Sequence, residues 1–467
     1  MTISDSAVGD LETLRAVVAG GVFMLGEAGY DEARRVWNLA VDERPAVVVQ
    51  AESAADVGHA LRFARARGMR IAAQGTGHGA GPLESLEGAM LVRTSRMRSV
   101  RIDPISRTAR AEAGAVWRDV TVPAAAYGLA ALEGTAPDVG VTGYVLGRGI
   151  GWLSRRYGLA ANSVTAVELV TAEGRFVRAD ADNEPDLFWA LRGGGGGVGV
   201  VTALEMRLYP VRDLYAGALL FPIQRAAQVL RAWRAWTHTV PDVVTSLGRI
   251  LRLPPLLEIP EPLRGRAFAV VEAACLADAD TGRELLAPLR RLGPELDSFA
   301  IIAPPTLARL HMDPDQPTPN HGDGALLADL PDAAIDALLA LAGPDAYSPL
   351  LSIEIRHLGG ALARPAPGGG AQPDLAAGYA VFAVGVTPTP EHADAVRAHT
   401  KALTDALTPW HAPHHFYNFT ETPAPASAVL PAASHHRLQH VTAHYDPHHA
   451  IITTHPVTPP NEQCAGT

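Results

Sequence analysis

Arg70-Ile71-Ala72-Ala73-Gln74-Gly75-Thr76-Gly77-His78-Gly79-Ala80-Gly81 is the stretch of sequence that decides the fold. Its first four residues predict a short strand, which runs into a loop with glycine at every second position from 75 to 81. Such glycines let backbone N–H groups approach an anionic or polar ligand closely. His78 has a glycine on each side, so nothing beside it screens the imidazole from a ligand in the loop. A solvated surface histidine is the alternative interpretation.

The chain around this loop divides into three parts. Residues 40–210 alternate short strands and helices. Residues 213–410 have longer helices between strands, a spacing that predicts an antiparallel sheet with helices on one face. Within them, the Pro- and Gly-rich stretches 304–324 and 364–373 are predicted loops. Residues 411–467 form a last segment with a short strand and one helix, and the predicted fold class is α+β.

The composition excludes several classes of protein. With 467 residues, 48% of them hydrophobic and 19% charged, the chain is long enough for two or three domains and is not disordered as a whole. Lys+Arg 39 against Asp+Glu 49 gives a net charge of −10 without a basic cluster, so we expect no nucleic-acid partner. The only lysine is Lys401, in a predicted helix, which argues against a pyridoxal-phosphate enzyme, and the Gly-Lys-Ser/Thr of a P-loop is absent. Cys275 and Cys464 are too few for a zinc or iron–sulfur site built on cysteine.

The sequence carries no sign of export or of membrane insertion. Its N-terminus lacks a basic region followed by an apolar run, and no run of about eighteen apolar residues occurs. We therefore expect no membrane segment and a cytoplasmic protein.

Gly194-x-Gly196-x-x-Gly199 matches the dinucleotide-binding fingerprint by letter. That fingerprint needs a strand before it and a helix after it, so that the pyrophosphate meets the helix N-terminus. Here a helix is predicted before it and a strand after it, which argues against a Rossmann unit. Three glycine tracts at strand ends (75–81, 134–158 and 193–197) instead favour a ligand whose diphosphate is held mainly by backbone N–H groups. Long flexible loops in a glycine-rich protein are the alternative.

Several motifs in this order resemble the berberine-bridge-enzyme-like FAD-linked oxidases of the vanillyl-alcohol-oxidase superfamily, which have a PCMH-type FAD-binding domain. The first lobe carries Pro45-Ala46-Val47-Val48-Val49, residues 70–79, Gly134-Thr135-Ala136-Pro137-Asp138-Val139-Gly140-Val141-Thr142-Gly143, Gly147-Arg148-Gly149-Ile150-Gly151-Trp152-Leu153-Ser154-Arg155-Arg156-Tyr157-Gly158-Leu159 and Asp186-Leu187-Phe188-Trp189-Ala190-Leu191-Arg192. The closing motifs are Tyr417-Asn418-Phe419, Arg437-Leu438 and Tyr445-Asp446-Pro447. The resemblance covers residues 40–210 and 411–451, whereas residues 213–410 share only the alternation of elements.

The resemblance implies a two-lobed α+β fold, with an FAD-binding PCMH-type domain over 40–210, a substrate-binding domain over 213–410 and a C-terminal segment, 411–467, that returns to the FAD domain. It implies FAD attached covalently through His78 at the flavin 8α-methyl group. Ala136 stands where relatives have a second attaching cysteine, so a single bond is predicted, and Arg148 stands where many relatives have glycine. The other implied FAD-binding residues are Gln74, Gly75, Thr76, Gly77, Gly79, Ala80, Thr135, Asp138, Gly140, Thr142, Gly143, Gly147, Gly151, Val200 and Asn418.

Oxidation at a flavin commonly needs a base within reach of the substrate's hydroxyl proton. Many relatives place a tyrosine two residues before the closing asparagine, but here that position is Phe416. Tyr417 is the neighbouring candidate, although a one-residue shift on a strand turns a side chain to the opposite face. Glu354 is a second candidate, because strand alternation puts it on one face with Ser352 and Arg356, and burial is expected to raise the pKa of its carboxyl. A solvated face with an ordinary ion pair is the alternative for Glu354.

Tyr144 is the third catalytic candidate, since it lies where relatives place a polar residue beside the flavin or substrate, and structural packing is its alternative. His436, His440 and His444 recur every four residues, a spacing that puts them on one helical face and that could bind zinc. No carboxylate or cysteine shares that face, and we predict no metal site.

These features together predict an FAD-dependent oxidoreductase of bacterial specialised metabolism, such as antibiotic biosynthesis. The expected partners are a hydrophobic, polyketide- or alkaloid-like small molecule and O2 as electron acceptor, and the resemblance allows a homodimer. The absent tyrosine base leaves a flavin oxygenase as an alternative, together with a flavoprotein cyclase of the same fold that causes no net dehydrogenation. A non-enzymatic ligand-binding module is a further alternative.

Overall fold

The computed structural model describes residues 5–314 and 316–458, and these form two lobes. The first lobe opens with a five-stranded sheet whose order is Val22–Met24, Val47–Gln50, Met90–Arg93, Ile71–Gln74 and Ile451–Ile452. The first pairing is antiparallel and the others are parallel. Val47, Val48 and Val49 are all buried, as expected for a parallel strand covered on both faces.

The second sheet of the first lobe is antiparallel throughout. Its order is Val100–Asp103, Thr108–Glu112, Gly199–Arg207, Val164–Thr171 and Phe176–Asp180, and a two-stranded sheet joins Leu129–Ala130 to Tyr209–Pro210. The helices of the lobe are Asp5–Val17, Tyr30–Arg34, Ala54–Ala66, Trp117–Ala125, Val141–Leu146, Ser154–Tyr157 and Pro185–Leu191, with a 3-10 turn at Ala160–Ser163.

The second lobe is an eight-stranded antiparallel sheet with helices on one face. The strand order is Leu296–Asp297, Leu214–Pro222, Ala267–Cys275, Val244–Arg252, Ser352–His357, Tyr379–Val386 and Asn320–Leu327, with Ala300–Ile302 also pairing Leu214–Pro222. The helices Ala226–Thr237, Ala279–Arg290, Asp332–Ala342 and Pro390–Ala406 and the inward residues of the sheet form one apolar core. The opposite face carries buried polar side chains, because successive strand residues point to opposite faces. The predicted α+β class and antiparallel substrate sheet are confirmed.

Two boundaries differ from the sequence-based expectation. The first lobe begins before residue 40, because Val22–Met24 pairs with Val47–Gln50. The predicted loop 304–324 is wrong in part: it contains the 3-10 helix Pro304–Arg309 and the start of the strand Asn320–Leu327. That strand begins with the polar and glycine residues of Asn-His-Gly-Asp-Gly, and it forms at the sheet edge by pairing with Tyr379–Val386.

The C-terminal segment runs back to the first lobe. The 3-10 turn Thr408–Trp410 precedes this segment, whose elements are the 3-10 turn Tyr417–Phe419, the helices Ala426–Val429 and Ala432–Tyr445, and the strand Ile451–Ile452. That strand pairs in parallel with Ile71 and Ala72, the beginning of the strand that leads to His78. Residues 459–467 of the predicted segment, including Cys464, lie outside the described residues. Within the described ranges, no helix combines the length and apolar character needed to cross a bilayer.

Candidate active site

His78 sits in a group of polar and aromatic side chains after the strand Ile71–Gln74. Its ring stacks on Trp37 with the centroids 4.3 Å apart, and its Nδ1 is 2.9 Å from Thr76 Oγ1. Asp138 accepts a hydrogen bond from Trp37 Nε1 at 2.7 Å, and its Oδ2 is 3.9 Å from His78 Nε2. Burial lowers the pKa of His78 to about 4, against the opposing charge of Asp138. The imidazole is therefore neutral near pH 7, with one of its two ring nitrogens unprotonated.

The glycines near His78 have two different roles: one adopts a backbone conformation that other residues rarely adopt, and another borders open space. Gly77 has a φ of +81°, and a Cβ there would lie 2.6 Å from Val36. A Cβ at Gly79, or at Gly143 in the second glycine tract, would meet no described atom within 4 Å. Open space therefore borders both tracts, whereas Gly77 is needed for the turn itself.

The second tract is built around the short helix Val141–Leu146. Gly140 and Gly147 flank the helix, and Thr142, Gly143 and Tyr144 lie inside it. Thr135 and Asp138 precede the helix, and Gly151 follows it, where a Cβ would lie 1.7 Å from Glu133 O. The Tyr144 ring packs edge-on against Trp117, with the centroids 5.3 Å apart.

Unpartnered polar atoms recur along both tracts. Six of the predicted site residues end in a buried atom without a hydrogen-bond partner in the described chain: His78 Nε2, Asp138 Oδ1, Thr142 Oγ1, Tyr144 OH and Asn418 Oδ1 around the two tracts, and Glu354 Oε2 in the second lobe. Buried polar groups are almost always hydrogen-bonded in folded proteins, so a bound molecule is expected to supply these partners. FAD carries carbonyls, ring nitrogens, hydroxyls and a diphosphate along its length, and the residues present fit that group.

Two of the predicted cofactor residues direct their side chains elsewhere. The Gln74 amide accepts from Arg93 Nη1 at 2.8 Å and donates to Glu43 Oε1 at 2.6 Å, so only its backbone is free for a ligand. Burial raises the pKa of Glu43 to about 7, although Gln74 and Arg93 oppose the shift. The side chain of Val200 lies in the hydrophobic core of the first lobe, opposite Val170.

The closing segment brings Tyr417 and Asn418 to the second tract. Asn418 Nδ2 donates to the backbone oxygen of Tyr144 at 3.1 Å. Tyr417 lies in a 3-10 turn, so the expected strand is wrong here and the argument from strand alternation does not apply. The Tyr417 hydroxyl accepts from Thr454 Oγ1 at 3.1 Å, and burial raises its pKa. Phe416, at the position where relatives place a tyrosine, is buried and has no hydroxyl to take a proton.

Arg148 occupies a left-handed backbone position, with a φ of +88°, where many relatives have glycine. Its buried guanidinium donates to the backbone oxygens of Gly193, His415 and Val429. Burial lowers the pKa of Arg148 to about 9. Arg148 therefore ties the second glycine tract to the third tract and to the C-terminal segment.

Glu354 lies in a buried network on the polar face of the second-lobe sheet. His311 Nδ1 is 2.7 Å from Glu272 Oε2, and His311 Nε2 is 3.0 Å from Glu354 Oε2. Arg249 donates to Glu272 Oε1 at 3.2 Å and to Ser352 Oγ at 2.7 Å. The predicted shared face of Ser352 and Glu354 is thus confirmed, and the solvated alternative is wrong because both residues are buried.

The predicted rise in the pKa of Glu354 is wrong. Burial alone would raise the pKa, but the charges of Arg356 and His311 and their hydrogen bonds outweigh it and lower the pKa to about 2. Burial and Arg249 lower the pKa of His311, but Glu272, Asp313 and Glu354 together raise it to about 9. Glu354 is therefore held as a paired carboxylate, which makes it a poor proton acceptor near pH 7.

Arg356 carries this network to the first lobe. Its Nε donates to Glu354 Oε1 at 2.9 Å, its Nη1 donates to Ile150 O at 3.3 Å, and its Nη2 is 3.5 Å from Thr135 Oγ1. The guanidinium also lies over the ring of Phe419, 4.9 Å from the centroid. Thr135, Ile150 and Phe419 come from the segments that the sequence places around FAD, so Arg356 stands at the junction of the two lobes.

Comparison with known proteins agrees with this geometry. A family model described as an FAD binding domain matches residues 45–180. An uncharacterized FAD-linked oxidoreductase of Bacillus subtilis (strain 168) is 30% identical over 66% of this chain and 67% of its own length. The chain belongs to the FAD-linked oxidoreductases.

Two further comparisons place this FAD-linked oxidoreductase among proteins of the berberine-bridge-enzyme-like fold. The (R)-6-hydroxynicotine oxidase of Paenarthrobacter nicotinovorans is 34% identical, and the match spans 43% of this chain and only 44% of that relative. The structure of berberine bridge enzyme from Eschscholzia californica superposes with a TM-score of 0.81 at 18% identity, covering 97% of this chain and 99% of the other. The predicted resemblance is confirmed.

Two groups of candidate site residues in this FAD-linked oxidoreductase were not predicted from the sequence. Trp37 lies before residue 40 and reaches His78 only through the fold, so no local pattern marks it. Arg249, Glu272 and His311 come from two strands and the predicted loop 304–324. The signal that could have found Glu272 is a glutamate inside the apolar strand Ala267–Cys275, which needs a buried partner.

The histidines of the helix Ala432–Tyr445 do not form a group of metal ligands in the described part of the chain. His436 and His440 lie on Ala432–Tyr445 with ring centroids 4.7 Å apart, and His444 packs against Tyr445 instead. In the part of the chain that the structure describes, no group of three or more His, Cys, Asp or Glu side chains is arranged to hold a metal ion.

Proposed function

We propose that this chain is an FAD-dependent oxidoreductase in which FAD is attached by a single bond to His78 and O2 accepts the electrons. The observation that carries the proposal is the state of the His78 ring. Its Nδ1 is engaged by Thr76, its Nε2 is buried without a partner, and its pKa is held near 4. A neutral, fixed imidazole with one free nitrogen is what nucleophilic attachment to a flavin requires.

The neighbouring residues position this ring. Trp37 stacks on the imidazole and is itself fixed by its hydrogen bond to Asp138. Ala136 offers no second nucleophile, which supports a single attachment. FAD, when bound, supplies the two-electron acceptor, and the chain's own residues hold it and exclude water.

The second lobe supports a hydrophobic substrate. Phe382, Phe416 and Phe419 form an aromatic cluster beside Arg356, with centroid distances of 4.9 Å and 5.1 Å from Phe419 to the other two rings. Aromatic rings of this kind give a ligand contact area without demanding hydrogen bonds. Phe416 is buried, whereas Phe382 and Phe419 are partly exposed and offer the contact area for a polyketide- or alkaloid-like small molecule. The name of (R)-6-hydroxynicotine oxidase, which is similar over 43% of this chain, also favours a small ring compound.

Covalent attachment is tested by precipitating the purified protein with acid and measuring the mass and visible absorbance of the pellet. We expect the mass of the chain plus one FAD and a yellow pellet, and His78→Ala is expected to give the mass of the chain alone. His455→Ala is the matched control, because that histidine lies beside Tyr417. A colourless wild-type pellet at the unmodified mass would contradict the attachment.

A flavin oxygenase or a cyclase of the same fold is the second candidate function. It is favoured by one observation: Phe416 is buried and Glu354 is held ionised, so neither of these positions offers a ready base. Adding candidate substrate in the absence of oxygen distinguishes these functions, because bleaching of the flavin absorbance supports dehydrogenation. Turnover without bleaching would favour the cyclase, and labelled oxygen appearing in the product would favour the oxygenase.

A further inference from the structure

Five charged side chains meet on the polar face of the second-lobe sheet. Arg249, Glu272, His311 and Glu354 are each no more than 4% exposed, and Arg356 is 13% exposed at its side chain. Charges buried to this degree are stable only when they are paired. Counting the cations against the carboxylates in this network therefore shows which charged side chain lacks a full partner and is available to a ligand.

The network holds more positive charge than negative. Both nitrogens of His311 face carboxylate oxygens, Glu272 Oε2 at 2.7 Å and Glu354 Oε2 at 3.0 Å. The Nδ1 contact is a hydrogen bond, whereas the Nε2 contact is a close ion pair, and the surrounding carboxylates raise the pKa of His311 to about 9, so His311 counts as a cation. Three cations then share the two carboxylates of Glu272 and Glu354. Asp313 also faces His311, 3.9 Å from Nε2, and its charge helps to raise the pKa of His311, but its side chain is 30% exposed, so solvent weakens this pair relative to the buried ones.

The unmatched charge lies on Arg356. Glu354 is shared between His311 and Arg356, whereas Glu272 is shared between His311 and Arg249. The remaining Arg356 contacts, 3.3 Å to Ile150 O and 3.5 Å to Thr135 Oγ1, are long and involve uncharged atoms. The guanidinium thus presents weakly satisfied donors at the lobe junction, beside the aromatic cluster.

We propose that Arg356 binds an ionised hydroxyl of the substrate, a phenolate or an enolate, and so selects substrates with an acidic hydroxyl group. This inference rests on the proposed function, because it assigns the substrate class of that same site. The unpartnered hydroxyl of Tyr144, which lies in the adjoining second tract, is a further donor on the first-lobe side. A substrate bound in its ionised form has already lost its hydroxyl proton, so the site needs no free base at Phe416 or Glu354.

The test uses the purified holoenzyme with 4-nitrophenol and its methyl ether, 4-nitroanisole, titrated from acidic to neutral pH. We expect the phenol to bind as the yellow phenolate at a pH where it is protonated in solution, with a long-wavelength charge-transfer band if it lies against the flavin. Arg356→Gln is expected to weaken phenolate binding on the order of 10- to 100-fold, as for loss of a charged hydrogen bond. Arg356→Lys keeps the charge and is expected to retain most of the affinity.

Binding of the ether is expected to be the same in all three proteins. Arg252→Gln serves as the matched control, because it removes an arginine that donates to the backbone oxygens of Ala342 and Gly343 instead. Binding of the phenol in its protonated form, equal binding to Arg356→Gln and wild type, or binding of neither probe would overturn the inference. The nitrophenolate absorbance reports binding whether or not flavin is attached, so a protein without flavin would refute the proposed function independently of this result.

Discussion

Single residues in the first lobe hold charge states that only burial explains. Glu43 has a pKa of about 7, above its ordinary value, because burial outweighs the hydrogen bond from Gln74 and the charge of Arg93. The folded state therefore favours the protonated carboxyl. This contribution to stability is present below about pH 4.5 and is lost as the pH rises through 7.

Glu43→Gln is accordingly expected to flatten the pH dependence of stability. Glutamine keeps an oxygen to accept from Gln74 and cannot ionise, so the variant is expected to lose less stability than wild type between pH 5 and pH 8. The difference is at most about 3 kcal/mol. Thermal unfolding of both proteins across this range measures it. Glu133, whose pKa burial raises to about 8, remains in both proteins and cancels; superimposable curves would contradict the account.

Arg148 affects stability in two opposite ways: its backbone conformation is strained, whereas its guanidinium makes stabilising hydrogen bonds. A non-glycine residue in the left-handed region costs about 1–2 kcal/mol, which Arg148→Gly would recover. The same substitution removes the donors to three backbone oxygens, each worth about 1–3 kcal/mol when left unsatisfied. We expect the lost donors to dominate, so that wild type is the most stable, Arg148→Gly is weaker and Arg148→Ala is weakest. Denaturant unfolding gives the order, and a glycine variant more stable than wild type would show that backbone strain dominates.

At the scale of elements, the closing strand is held by one carboxylate. Asp446 Oδ1 accepts from Ala450 N and Oδ2 accepts from Ile451 N, both at 2.8 Å. These bonds present Ile451–Ile452 to Ile71 and Ala72. Because the strand Ile71–Gln74 leads into the His78 loop, the C-terminal segment supports the candidate FAD site.

Asp446→Ala is expected to release the strand Ile451–Ile452 and to lower the free energy of unfolding by about 2–4 kcal/mol, since two charge-assisted hydrogen bonds are lost. Asp446→Asn keeps one accepting oxygen, so its stability is expected to lie between that of wild type and that of Asp446→Ala. Hydrogen exchange at the amides of Ile71 and Ile451 is the direct measurement, and faster exchange at both is predicted. Unchanged protection in the alanine variant would mean that the β-pairing holds by itself.

Local sequence signals predicted the elements that depend on near neighbours. A serine directly before an apolar helical pattern is a typical N-cap signal, and Ser53 accepts from Asp56 N at the start of Ala54–Ala66. The strand Asn320–Leu327 was missed because its polar and glycine residues favour a loop until a partner strand is present. The same division applies in the site: the His78 loop was predicted, but Trp37 and His311 reach their partners only through the fold. The predicted direction of the Glu354 pKa shift was wrong because burial was weighed without the charges that oppose it, Arg356 two residues away on the same strand face and His311, which lies 43 residues away in the sequence.

At the scale of the whole molecule, arginines join the two lobes. Arg155 lies in the first-lobe helix Ser154–Tyr157, yet its Nε donates to Val244 O at 2.8 Å and its Nη1 donates to Leu358 O. Its Nη1 is also 3.0 Å from His357 Nε2. Burial and the charge of Arg155 lower the pKa of His357 to about 3, so that ring is a neutral acceptor. Two arginines therefore hold the junction where substrate and FAD are proposed to meet: Arg155 from the first lobe and Arg356 from the second lobe.

Arg155→Gln is expected to uncouple the lobes. The substitution leaves buried second-lobe carbonyls without their donor, a loss on the order of 3 kcal/mol at the interface rather than in either core. Calorimetry is expected to show a lower unfolding temperature and a separation of the transition into two, because each lobe contains an apolar cluster of its own. Arg156→Gln removes the same charge one residue along the helix and is expected to unfold as wild type does. If Arg155→Gln unfolds at the wild-type temperature with an unchanged profile, the lobes are joined by their apolar contacts and not by this arginine.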